Sequence, residues 1–145
     1  MPKPLADWLE YDVRHFVSLD VNVVVSLLEV PEEYELGLSA EEEVLAKHGI
    51  NFIRHGVRDR GLPEPKMSDL LIDQLYRLLV SGENIAVHCR AGIGRTGMVA
   101  SCLLVKDRLS SQTAIDKVTA ARGVSVPDTQ EQYDFICDYE LRLPS

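Results

Sequence analysis

His88-Cys89-Arg90-Ala91-Gly92-Ile93-Gly94-Arg95-Thr96-Gly97 sets a cysteine and an arginine five residues apart, between an apolar strand-like run and a helix-like run. A chain that leaves a strand, curls through glycines and enters a helix turns several backbone N–H groups inward. It thereby makes a cradle for an oxyanion at the helix's positive end. Cys89 sits at the lip of that cradle, where the helix dipole and the Arg95 guanidinium both favour thiolate over thiol, as a nucleophilic cysteine requires. Arg95 can grip two phosphate oxygens with its planar fork, and Thr96 can hydrogen-bond the sulfur. Arg90, Ala91, Gly92, Ile93 and Gly94 form the loop that would surround the anion. The anion that suits such a cradle is a phosphate monoester.

A second pattern overlaps the first. Gly92-Ile93-Gly94-Arg95-Thr96-Gly97 also satisfies G-x-G-x-x-G, the dinucleotide-binding fingerprint, which likewise follows a strand and opens a helix. That fingerprint opens the first strand-helix unit and is followed by a strand ending in an acidic residue. Here Ser110 to Val118 reads as a capped helix, so Asp116 has no strand to end. The surroundings therefore favour the phosphate cradle.

Composition sets outer bounds. A chain of 145 residues suits one domain, residues 1–145, that buries roughly two-thirds of its unfolded surface. No apolar run approaches the ~18 residues of a membrane span, and Met1-Pro2-Lys3-Pro4 does not begin a signal peptide, which points to a cytoplasmic protein. The three cysteines, Cys89, Cys102 and Cys137, have no zinc-type spacing and fit a reducing compartment; no metal or cofactor is expected. A net charge of −8 argues against a nucleic-acid or anionic-membrane surface, which needs accumulated Lys and Arg contacts. Charge is also unevenly placed: acidic residues crowd Glu29 to Glu43, while Arg54, His55, Arg58, Arg60, His88, Arg90 and Arg95 gather near the expected site. An acidic body with a basic mouth would draw a phosphate to one place.

Outward from the cradle, strands and helices alternate. Asp7 with Glu10 reads as a capping box for a helix whose apolar face is Leu9, Val13, Phe16 and Val17, and Val21 to Leu28 reads as a buried strand. Ser39 with Glu42 predicts a second box, for a helix ended by Gly49, and Asn51 to His55 a short strand. After the Pro/Gly-rich loop Gly56 to Pro65, the leucine spacing predicts a helix ended at Gly82, then a strand Asn84 to His88 and three further helices from Arg95 onward. The expected fold class is α/β, a central parallel sheet flanked by helices on both faces. Catalytic loops then collect at the strands' C-terminal edge, which brings Asp59, after the second strand, towards Cys89, after the third. Asp69 and Asp73 fall inside a helix pattern and are less suited. Cys102, well into the helix after the cradle, is expected in the core.

The run at 88–97 resembles the His-Cys-x5-Arg-[Ser/Thr] signature of the cysteine-dependent protein tyrosine phosphatase superfamily, and the short chain looks like its compact dual-specificity branch and small prokaryotic relatives. The resemblance runs from about Asp7 onward and implies a phosphatase-type fold. It also implies hydrolysis of phosphotyrosine, and of phosphoserine or phosphothreonine, through a phosphocysteine on Cys89. The substrate would be a phosphorylated protein or peptide. Asp59-Arg60-Gly61-Leu62-Pro63 is similar to the superfamily's mobile general-acid loop, which makes Asp59 the donor to the leaving oxygen and later the base for water. His88 would orient the loop and tune Cys89. Thr129-Gln130-Glu131-Gln132 is similar to a stretch in which a glutamine positions the hydrolytic water, so Gln132 takes that role; a first-turn surface glutamine is its alternative. Relatives commonly carry strand structure before the first helix, so an N-terminal edge strand is expected to be missing here. Three other readings stay open: a phosphate-binding module without turnover, a rhodanese-like or arsenate-reducing cradle, and a phosphoinositide phosphatase. Lysines common in the loops of phosphoinositide enzymes are here Arg90, Ala91 and Ile93. Phosphoresidue preference and oligomeric state are not legible.

Overall fold

Val23–Ser26 (β1) is a continuous buried run, as befits a parallel strand covered on both faces. It lies between Asn51–Arg54 (β2) and Ile85–His88 (β3), in the order β2-β1-β3, with both pairings parallel and Val25 level with Ile53 and Val87. The computed structural model of the chain describes residues 1–144. Side chains alternate across the sheet, so one face of β1 offers Val23 and Val25 and the other Val24. Helices Pro65–Val80 (α4), Gly94–Lys106 (α5), Ser111–Arg122 (α6) and Gln130–Arg142 (α7) supply the core over the Val23 and Val25 face, including Ile72, Leu75, Met98, Cys102 and Ile136. Leu9–Ser18 (α1) and Glu41–Lys47 (α3) close the Val24 face with Leu9, Val13, Phe16 and Leu45. The expected α/β sheet with helices on both faces is what forms.

Several helix ends follow the expected chemistry. Glu64 accepts from the Met67 N–H at the start of α4, Ser110 from Thr113 N–H at α6, and Thr129 with Gln132 closes a capping box on α7. Two expected boxes do not form. A 3-10 turn, Ala6–Trp8, precedes α1, so Asp7 lies in the turn rather than at a cap, and it is Asp12 that takes the Leu5 N–H at 2.9 Å. Ser39 falls one residue before Ala40, which starts α3 without a side-chain cap. Val17, expected on the apolar face of α1, stays exposed.

One helix was not anticipated: Val30–Glu35 (α2), six residues inside the acidic stretch. It is too short to show a period, and its capping box uses Glu29 in place of the usual serine or threonine. Past the strand ends the ladder continues, because Leu27 N–H donates to His88 C=O and Val57 N–H to Leu27 C=O, both at 2.9 Å. The loops after all three strands therefore leave side by side at one edge. Residues 1–3 run beside β3 and its loop, with Lys3 N–H donating to Arg90 C=O. Among the described residues no helix is long and apolar enough to cross a membrane.

Leu75 is fully buried between sheet and helices, so Leu75→Ala removes transfer energy and leaves a cavity. The expected loss is about 2–5 kcal/mol in urea denaturation, with the slope unchanged.

Candidate active site

The loop leaving β3 begins at Cys89, and α5 begins five residues later at Gly94. No side chain caps that helix start, which leaves its first amides free for an anion at the positive end of the dipole. Gly92 adopts φ +73°, and this turns its N–H onto the Cys89 Sγ at 3.3 Å. A Cβ at Gly92 would collide with the backbone of Met1 and Pro2. Burial alone would push the Cys89 thiol up; the Thr96 hydroxyl, the backbone N–H groups of Thr96 and Gly92, and the Arg95 guanidinium outweigh it and hold the thiol below its ordinary value. Thr96 Oγ1 is buried with no conventional hydrogen-bond partner, so its proton is left to the sulfur. Cys102 is the contrast: buried among apolar side chains, its thiol is pushed up to about 12.

Arg95 is 2% exposed, and its charge is answered from three sides. Glu32 of α2 takes it bidentately, at 2.6 Å from Nη1 and 3.0 Å from Nη2; Val57 C=O accepts from Nη1 at 2.8 Å, and Asp59 Oδ1 lies 3.2 Å from Nη2. Burial by itself would lower the guanidinium's pKa, but Glu32 foremost, with the Cys89 and Asp59 charges, raises it. Arg95 Nε has no partner among the described residues. That edge of the fork, Nε with Nη2, is the one open to a phosphate once Asp59 withdraws.

Behind the cradle, His88 is fully buried, with Nε2 2.6 Å from Glu41 Oε2 and Nδ1 3.2 Å from the Cys89 carbonyl. Glu41, the first residue of α3, thus ties that helix to the residue before the nucleophile. Arg122, in the last turn of α6, donates from Nε to Gly92 C=O at 2.8 Å and from Nη2 to Ala91 C=O at 3.0 Å. With those carbonyls held outward, the loop's N–H groups point inward. Glu32, Glu41 and Arg122 were not anticipated from the sequence; their partners lie 63, 47 and 30 to 31 residues away, and no local spacing marks them.

Cys89, Arg90, Ala91, Ile93, Gly94, Arg95 and Asp59 line one cleft of about 90 Å³, joined by Arg60 and Asp128. Gly92, Thr96 and His88 stand behind its wall. Gln132 is fully buried rather than a surface residue: its Oε1 accepts from the Asp128 and Thr129 N–H groups, and its Nε2 donates to Gly61 C=O at 3.2 Å. Asp69 and Asp73 are elsewhere, paired with Arg142 and Lys106. The basic mouth is largely neutralised, because the acidic stretch folds over it: Arg54 turns to Glu33 at 2.8 Å, and Arg90 lies near Glu32 and Glu35. A larger cavity of about 600 Å³ beside β2 contains no nucleophile, so chemistry and not volume identifies the site.

The fold, with Cys89, a buried Arg95 and a facing Asp59 gathered at one strand-loop-helix cradle, is of the tyrosine and dual-specificity phosphatase type. Residues 8–108 match the family model Tc-R-P, described as "Polymorphic toxin system, DSP-PTPase phosphatase", and the chain belongs to that family. Rat cyclin-dependent kinase inhibitor 3 is 29% identical over 103 residues, which are 70% of this chain and 49% of that protein. The chain spans about half the length of the cyclin-dependent kinase inhibitor 3 proteins it matches. Among solved structures, Tk-PTP in its active form superposes with TM-score 0.81 at 26% identity, over 98% of this chain and 90% of the other. The kinase-associated phosphatase KAP, solved with its catalytic-site cysteine replaced by serine, gives 0.84 at 22% identity, over 93% and 79%.

Two measurements check the electrostatics. Iodoacetamide at neutral pH should alkylate Cys89 well before Cys102 by mass spectrometry, with the rate falling only as pH drops through the lowered Cys89 value. Glu41→Ala leaves a buried imidazole nitrogen without its partner and should cost about 1–3 kcal/mol in denaturation, whereas Glu10→Ala, removing an equally short but half-exposed contact to His48, should shift the midpoint far less.

Proposed function

We propose that the chain hydrolyses phosphate monoesters on protein tyrosine, with serine and threonine as further substrates, through a phosphocysteine on Cys89. The observation that carries this reading is the convergence of Cys89, Arg95 and Asp59 on one cleft of about 90 Å³. A phosphoryl group entering it takes Nε and Nη2 of Arg95 and the uncapped amides at the start of α5, displacing the Asp59 carboxylate from Nη2. Cys89 Sγ attacks phosphorus, the ester P–O bond breaks, and the leaving oxygen takes a proton from Asp59, which has picked one up from solvent on leaving the Arg95 guanidinium. In the second step Asp59 takes a proton from water, the water oxygen attacks phosphorus, the S–P bond breaks, and inorganic phosphate leaves the regenerated thiolate. Charge in such a transfer spreads over the equatorial oxygens, so fixed donors around them supply much of the rate.

Glu32 keeps the Arg95 fork facing the cleft, and Arg122 keeps the loop amides facing inward. His88 acts as support, held by Glu41. Gln132 was expected to position water; with both amide atoms committed to backbone, it braces the Asp59 loop through Gly61, and it meets the water only when that bond opens. The family description supports a phosphatase that serves in a toxin system.

Hydrolysis of an aryl phosphate tests the proposal. Turnover should be vanadate-sensitive and abolished by Cys89→Ser. Asp59→Asn should slow esters with poor leaving groups by about a hundredfold or more, and esters with good ones far less. Phosphate binding without turnover in the wild-type protein would make the chain a binding module instead.

A further inference from the structure

Each arginine lining the cleft already faces a carboxylate of the protein itself. Arg95 has Glu32 and Asp59, Arg90 lies 3.9 Å from Glu32 and 3.7 Å from Glu35, and Arg60 Nη1 lies 2.9 Å from Asp128 Oδ2. The last pair joins the two rims: Arg60 stands on the Asp59 loop and Asp128 on the turn before α7. Both ends are fixed by the same side chain, because Gln132 accepts from the Asp128 N–H at 3.1 Å and donates to the carbonyl of Gly61, next to Arg60. The Arg60 backbone is itself set at φ +59°. With side chains 65% and 41% exposed, the ion pair contributes little to stability. Its effect falls on whatever enters between the rims.

Resting on the phosphatase reading, we propose that Asp128 is a specificity-determining residue. By occupying Arg60 it disfavours substrates that carry an acidic side chain beside the phosphorylated residue, and it directs the site to singly phosphorylated peptides with uncharged flanks. An acidic flank can reach Arg60 only by displacing a tethered carboxylate held at high effective concentration, and if it fails it sits beside a like charge. An uncharged flank meets neither penalty. The same logic covers Arg90, whose two acidic neighbours leave it no unshared charge to offer.

The test compares kcat/KM for two phosphotyrosine peptides that differ only in glutamate or alanine flanks, across wild type, Asp128→Asn, Arg60→Gln and the double variant. Wild type should prefer the alanine-flanked peptide. Asp128→Asn should raise the glutamate-to-alanine ratio by about fivefold, the scale of one exposed ion pair. In the Arg60→Gln background the same substitution should leave the ratio within about twofold. Equal changes on both peptides would reduce Asp128 to loop support, and an undiminished rise without Arg60 would replace screening by bare repulsion; either overturns the proposal. Failure of the phosphatase reading shows separately, as no turnover of either peptide by wild type. The ratio of peptide dissociation constants by calorimetry then decides, with the same fivefold and twofold expectations.

Discussion

Arg95 carries a full positive charge into a place where almost no water reaches it, and a charge there persists only if the protein answers it. Three stretches of chain are bound by that requirement: α2 through Glu32, the end of β1 through the Leu27 carbonyl, and the loop after β2 through the Val57 carbonyl and Asp59. The parallel sheet is what allows the meeting, because only parallel strands deliver all their following loops to the same edge. Buried pairs of this kind are weak contributors to net stability, since desolvation offsets most of the attraction. Their effect is geometric. An apolar side chain in place of Arg95 would pack as well, but nothing would then hold α2 and the Asp59 loop over the cradle.

The acidic excess of the chain has the same origin. Glu32, Glu33, Glu35, Glu41 and Glu42 lie on one segment, residues 32–42, running from α2 into α3, and each faces a basic residue: Arg95 and Arg90, Arg54, Arg90, His88, and Arg54. Part of what reads in the sequence as an acidic run lines the inside of a cap: Glu33 and Glu41 are buried and Glu32 is half-buried, while Glu35 and Glu42 stay exposed at its rim. The run forms two short helices, and the carboxylates that turn inward are those that meet Arg95, Arg54 and His88.

That difference marks where the sequence is readable. The cradle, the three strands and the longer helices rest on local signals, namely glycine positions, β-branched runs, leucine spacing and caps such as Ser110, and all of these form. Cys89, Arg95 and Asp59 could be brought together because strand-helix alternation dictates which loops share an edge. Glu32, Glu41 and Arg122 were invisible, since a carboxylate or guanidinium that pairs across dozens of residues leaves no period and no neighbouring residue to betray it. The two absent capping boxes fail for a related reason: helix starts shift by a residue or two when the preceding turn packs differently, and the cap residue is then out of register.

The cleft measures about 90 Å³, several times smaller than the roughly 300 Å³ at which sites for drug-sized molecules begin. A phosphate mimic fills it and leaves no volume for the chemical groups by which an inhibitor distinguishes one such enzyme from another. Selective compounds for this protein must therefore be built outward, with a small anionic head in the cradle and a body that engages the rim between Arg60 and Asp128.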